Sequence, residues 1–131
     1  MLYTKSIIKS RTPEEGLRIS VMSRHTLNDG ITLDKRINSR SYDLWFKELA
    51  PPDILVGSYY KRNLSREEYN KKYLEYLRKD SIAEKVKDLA EMATKFNITI
   101  LCIEEDAMDC HRRVLSEECQ RHFPELRIEH L

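Results

Sequence analysis

Ile98-Thr99-Ile100-Leu101-Cys102-Ile103 is apolar or small at every position, and Glu104-Glu105-Asp106 follows it at once. A short run that is apolar on both alternating faces reads as a strand buried on both sides, the usual situation in the middle of a parallel sheet. The acidic triplet marks its carboxyl end. Downstream, Asp109 suits the N-cap of a helix over residues 110–123, Pro124 stops that helix, and LRIEHL at 126–131 reads as a last strand. These three elements predict a C-terminal βαβ unit, which crosses over right-handed as almost all such units do.

Upstream, residues 2–8 (LYTKSII) and 17–22 (LRISVM) read as strands, separated by the turn Thr12-Pro13-Glu14-Glu15-Gly16. A polar stretch runs from Ser23 to Arg40 and holds the turn signal Asn28-Asp29-Gly30. A loop of that length in a compact domain is often functional. Residues 41–49 place Tyr42, Trp45 and Leu49 at helical spacing, with Pro51-Pro52 as the stop. Ser65-Arg66-Glu67-Glu68 is a capping box, and Tyr69, Tyr73, Tyr76 and Leu77 continue it as one helical face. Asp80 or Ser81 opens a further helix with Ile82, Val86, Leu89, Ala90, Ala93 and Phe96 on one stripe, closed by Asn97. Helices alternating with strands in this order predict one α/β domain over residues 1–131, three-layered, with a mostly parallel sheet flanked by helices.

Composition narrows the function. The chain has 131 residues, 23 basic and 22 acidic, for a net charge of +1. That balance lacks the basic excess of a general DNA coat, which works by displacing counterions from phosphate. With only Gly16, Gly30 and Gly57 as glycines, the chain has no glycine-rich phosphate loop. The opening MLYTKSIIKSR lacks the apolar run of a signal peptide, and no stretch approaches the ~20 apolar residues of a membrane span. An odd set of cysteines, Cys102, Cys110 and Cys119, fits free thiols, so a reducing cytoplasm and no membrane partner are expected.

In open α/β sheets ligands gather beyond the carboxyl ends of the strands, which directs attention to residues 103–112. The first turn of a helix leaves N–H groups unpaired and carries partial positive charge, so it suits a phosphate or carboxylate. Arg112 stands in that first turn, where a cation is unfavourable, and an anion (a ligand or Glu104) would resolve the conflict. Helical spacing from Val114, Leu115, Cys119, His122 and Phe123 turns His111 inward toward Glu104. A Glu–His pair can act as general base and orienting carboxylate, and a buried histidine held by one hydrogen bond accounts for the residues equally well.

Cys110 at the helix start would have its thiolate favoured, which makes it a candidate nucleophile; a small residue that merely fits is the plainer account. Cys102 and Cys119 read as packing. The thiol-phosphatase spacing is absent, since Met108 and Ser116 occupy the arginine positions. A zinc site from Cys102, Cys110 and His111 with Glu104 has the right elements but lacks the usual CxxC or HxxxH clip, so no metal or cofactor is expected. The tyrosines at 69, 73 and 76 read as core before base-stacking surface, and Lys71-Lys72 as a solvated face.

Several stretches together have a family likeness: Tyr3-Thr4-Lys5, Val21-Met22-Ser23-Arg24, Leu44 to Pro51 (LWFKELAP), Tyr69-Asn70-Lys71-Lys72-Tyr73, and Leu101-Cys102-Ile103-Glu104 with Cys110-His111-Arg112. In these the chain resembles the domain-of-unknown-function family 488, in its short YeaO-like branch. The resemblance implies a compact α/β domain with a polar cleft. It implies site roles for Arg24 at the end of the second strand, Glu104, Cys110, His111 and Arg112, with Arg40 after Ser39 as a further match. Relatives often carry an Asp just before the second-strand arginine, where this chain has Met22 and Ser23. The family name brings a fold and a site but no reaction.

The leading expectation is therefore an enzyme or sensor for a phosphorylated or nucleotide-like anion, or a nucleic-acid end. Arg24, His25, Arg40 and Arg112 would bind it, and Glu104, His111 and Cys110 would carry any chemistry. A non-catalytic nucleic-acid or protein binding module is the alternative, and a buried structural Glu–His–Arg network is the third reading. Self-association into a homo-oligomer stays open.

Overall fold

The computed structural model describes residues 1–27, 29–61, 64–104 and 110–131. Five strands pair in the order β3-β2-β4-β1-β5, every pair parallel: β1 (Leu2–Ser6), β2 (Leu17–Ser20), β3 (Leu44–Trp45), β4 (Ile98–Cys102) and β5 (Ile128–His130). Four α-helices accompany them: α1 (Asp53–Tyr60), α2 (Arg66–Leu77), α3 (Asp80–Lys95) and α4 (His111–His122). The expected α/β class and parallel sheet are met, and the run from Ile98 is indeed the central strand, buried at every residue.

Chain direction explains the layering. The steps β1 to β2 and β2 to β3 move toward one edge of the sheet; β3 to β4 and β4 to β5 move toward the other. Crossovers of one hand that travel in opposite directions must lie on opposite faces. The helices accordingly share one face, where Leu2, Ile19, Ile98 and Ile100 meet Tyr73, Leu77, Val86, Leu89, Ala90 and Leu115. Segments without α-helix close the other face. There Arg18, fully buried, reaches the carbonyls of Ile7, Lys9 and Ser41 and pairs with Glu15, which also takes Lys5. β4 and β5 flank β1, so the C-terminal βαβ unit spans an intervening strand.

Four points need correction. Residues 41–49 are not an α-helix: Leu44–Trp45 is an edge strand and Lys47–Leu49 a single 3₁₀ turn. Backbone pairing decides this, because Phe46 N–H donates to Ser20 O at 2.9 Å and Trp45 Nε1 donates to Met22 O at 2.7 Å. A helix the sequence reading passed over, α1, starts directly after Pro51-Pro52. Helix α4 begins at His111 with Cys110 as its N-cap, its sulfur accepting the Arg112 N–H; Asp109, the expected cap, lies outside the described residues. Phe96, placed on the core stripe of α3, is 66% exposed because the helix ends at Lys95. Ser65 does cap α2, accepting from Glu68 N–H at 3.1 Å. Among the described residues no helix is long and apolar enough to cross a membrane.

Candidate functional site

Strands β2 and β4 are neighbours whose chains leave in opposite directions, which opens a crevice between their carboxyl ends. A hollow of about 470 Å³ lies there. Its floor is Cys102, Ile103 and Glu104 at the end of β4, with His111 from the first turn of α4. Met22, Ser23 and Arg24 come from the end of β2, and Pro51, Val56 and Tyr69 from the helical side.

The remaining wall is the polar loop after β2. It folds back on itself: Thr26 and Leu33 form an antiparallel bridge, and Leu27 N–H donates to Thr32 O at 2.8 Å. Asp29 ties the tip by accepting from the N–H groups of Ile31 and Thr32. Gly30 has φ +73°, and a Cβ there would come within 2.6 Å of Arg24 Nη1, so the bare glycine lets the Arg24 guanidinium lie against the turn. Arg24, Thr26, Leu27, Asp29, Asp34 and Arg36 all reach the hollow from this loop. Asn28 lies outside the described residues.

On the floor, Cys102 joins residues that sequence reasoning expected to meet directly. Its thiol donates to Glu104 Oε2 at 2.8 Å and stands 3.5 Å from His111 Nδ1. Cys110 Sγ is 3.8 Å from the same nitrogen. His111 Nε2 is 2.7 Å from the carbonyl of Val21. Burial opposes charge on Cys110, but the neighbouring Cys102 thiol and the positive charges of His111 and Arg112 win and hold it well below an ordinary thiol. Burial drives Cys102 well up instead, with Cys110 and Glu104 adding to it. Glu104 is raised by burial and then by the charge of Cys110. Burial depresses His111, yet the Cys110 thiolate more than reverses this and leaves it raised. These directions favour charge on Cys110 and on the His111 ring and a neutral carboxyl at Glu104.

Glu104 and His111, together with Arg24, thus converge on the hollow, and Cys110 stands behind His111. Arg112 is fully buried and sends Nη1 to the Glu104 backbone carbonyl at 2.5 Å, outside the lining of the hollow. His25 is not part of the hollow's lining: its ring stacks on Trp45 at 4.0 Å and bonds Ser20 Oγ at 2.7 Å. Arg40 is exposed in the loop and also outside the lining. Sequence reasoning assigned Cys102 to packing and passed over Arg36, Asp34 and Thr26. The position of Cys102 as the last residue of β4 was the one signal available for it, since strand ends in parallel sheets face ligand crevices.

The sulfur atoms of Cys102 and Cys110 and a nitrogen of His111 lie within 4.8 Å of one another, so the missing clip does not keep these ligand types apart. They come together because one strand end meets one helix start, not through a short loop.

No curated protein and no solved structure matches the chain. A family model described as the active DUF488-N3 subclade matches residues 2–122, which spans both walls and the floor of the hollow. The chain belongs to the domain-of-unknown-function family 488.

Proposed function

We propose that the hollow binds a small phosphorylated or nucleotide-like anion and that the floor beneath it hydrolyses or transfers a group of that ligand. One observation carries the reading: Arg24 and Arg36 share a single cavity with Glu104 and His111, so an anion held by the loop lies over proton-handling groups. The volume of about 470 Å³ suits a nucleotide-sized molecule. Thr26 Oγ1, on the same wall, is buried with no hydrogen-bond partner among the described residues, which favours a polar ligand. The word "active" in the family description favours chemistry over passive binding.

In this reading Arg24 is the main anion contact, and Arg36, held by Asp34 at 2.7 Å, is a second. Arg112 positions Glu104 by fixing its carbonyl. A nucleic-acid coat is disfavoured by Asp29 and Asp34, which interrupt the positive wall. YeaO-like kinship, read from the motifs, forms part of the same proposal.

The test is a thermal-shift panel of nucleotides, sugar phosphates and inorganic phosphate, run on the native chain and on Arg24→Ala. A ligand that stabilises the native chain should bind Arg24→Ala about 10-fold to 100-fold more weakly, the loss expected for one charged hydrogen bond. Equal stabilisation of both proteins, or of neither, overturns the proposal.

A further inference from the structure

The two thiols and the imidazole on the floor are arranged like a set of metal ligands. Zinc bonds of ~2.3 Å to sulfur and ~2.0–2.1 Å to nitrogen, at tetrahedral angles, put sulfur and nitrogen roughly 3.6 Å apart. His111 Nδ1 lies 3.5 Å from Cys102 Sγ and 3.8 Å from Cys110 Sγ, and all three atoms fall within 4.8 Å of one another. Two further contacts have the form of outer-shell support. Val21 O accepts from His111 Nε2, which leaves Nδ1 to face the sulfurs. The backbone N–H of Arg112 donates to Cys110 Sγ at 3.5 Å, a bond that suits a metal-bound thiolate.

We infer that Cys102 Sγ, Cys110 Sγ and His111 Nδ1 form a three-ligand site for a zinc ion, with the fourth coordination position facing the hollow. Two thiolates and one imidazole select a borderline-soft cation such as zinc over magnesium or calcium. Two of the ligands, Cys102 and His111, line the hollow, whereas Cys110 does not, so the uncovered side of the site is the hollow itself. Glu104 stands beside that side, 2.8 Å from Cys102 Sγ, where it would take up the proton that Cys102 gives up on binding zinc and could then exchange it with a zinc-bound water. Among the described residues three ligands meet here, and three protein ligands with one open position mark a catalytic site, whereas structural zinc sites are closed by four. The inference goes beyond the anion reading and does not depend on it; with zinc bound, His111 serves as a ligand and proton handling falls to Glu104.

The test uses the full chain. After removal of metal with a chelator and reduction of the thiols, the protein is titrated with zinc, and with cobalt(II) as a spectroscopic stand-in. The expected result is about one metal per chain, with intense cobalt d–d absorption of tetrahedral type and a thiolate charge-transfer band. Zinc should protect Cys102 and Cys110 from alkylation, read peptide by peptide, and leave Cys119 unaffected, because Cys119 sits in the main core beside Val86. Cys110→Ser should weaken zinc at least ~100-fold in chelator competition, whereas Cys119→Ser should keep it. Should Cys110→Ser fail to fold, the cobalt spectrum and alkylation map of the native chain decide alone. No cobalt–thiolate band, or zinc that leaves Cys102 and Cys110 as reactive as before, overturns the site. Arg24→Ala should still hold one zinc, which separates failure of anion binding from failure of this inference.

Discussion

His111 Nε2 lies 2.7 Å from the carbonyl oxygen of Val21, so the end of β2 fixes a proton on Nε2. A carbonyl can only accept; Nε2 must donate, and Nδ1 is turned toward the sulfurs of Cys102 and Cys110. Tyr73 meets the ring edge-on at 5.5 Å and holds its plane. This bond joins α4 to β2 across the crevice. His111→Leu, which keeps the bulk and removes the donor, should cost about 1–3 kcal/mol in urea unfolding. An unchanged midpoint would show that Val21 O finds another donor and that the ring is not held by it.

Arg112 gives a sharper contrast with its neighbour. It is fully buried, with Nη1 on Glu104 O, whereas the Arg113 side chain is 21% exposed and pairs with Glu117 along the helix. Arg112→Met strands the Glu104 carbonyl and should cost about 3 kcal/mol or more. Arg113→Met should cost less than ~1 kcal/mol. Equal losses would refute the assignment of Arg112 as the anchor of the β4 end.

Gly16 joins the 3₁₀ turn Pro13–Glu15 to β2 with φ +65°. A Cβ at this position would lie 2.0 Å from the carbonyl oxygen of Asn97, whose acceptor bond from Leu17 N–H aligns β2 with β4. Gly16→Ala should therefore destabilise by more than ~3 kcal/mol or prevent folding. Gly57, inside α1 with nothing near its missing Cβ, is the control: Gly57→Ala should stabilise by about 0.5–1 kcal/mol. Melting temperatures moving in the same direction would contradict both arguments.

Acid stability should depend on Glu118. Burial raises its carboxyl, but the guanidiniums of Arg121 and Arg78, at 2.8 and 2.9 Å, overcome this and pull it down to about 2. Its folded value lies below its unfolded one. Its contribution is thus complete above the unfolded range near ~4.3 and disappears as pH falls toward 2. Glu118→Gln should lower stability at neutral pH and flatten the acid limb below about pH 4.5. A mutant curve parallel to the native one through that range would exclude the linkage.

Trp45, the single tryptophan, reports on His25 stacked 4.0 Å away. Burial holds His25 below its ordinary value, so the ring should charge only below about pH 6.5. Protonation of a stacked imidazole should quench the indole, giving a fluorescence step below that pH that His25→Gln removes. A step retained in the mutant would assign it to another group.

Much of this was local and therefore readable along the chain. The central strand announced itself as a run apolar on both faces, and the capping box at Ser65 and the stripe of α3 needed only residues a few positions away. Glu104, Cys110, His111 and Arg112 were legible for the same reason: the end of β4 at Cys102 and the start of α4 at His111 lie only nine positions apart. The segment 41–49 misled because the spacing of Tyr42, Trp45 and Leu49 fits a helix, while the bonds to Ser20 and Met22 that draw it onto the sheet edge come from over twenty positions away. Helix α1 carries a glycine and a weakly one-sided pattern, so its packing against α2 decides it.

The amino-acid order by itself determined β1, β2, β4, β5, α2, α3 and α4, and which chemically able residues stand at the carboxyl end of β4. Only the tertiary structure decided that β2 lies beside β4, and with it the crevice, the approach of Arg24, Thr26 and Arg36, and the conversion of Cys102 from a strand residue into a floor atom. Local pattern reflects short-range energetics of the backbone and its nearest side chains. Strand order follows from packing one sheet between two unlike layers, a balance to which every element contributes and which no single window of sequence contains.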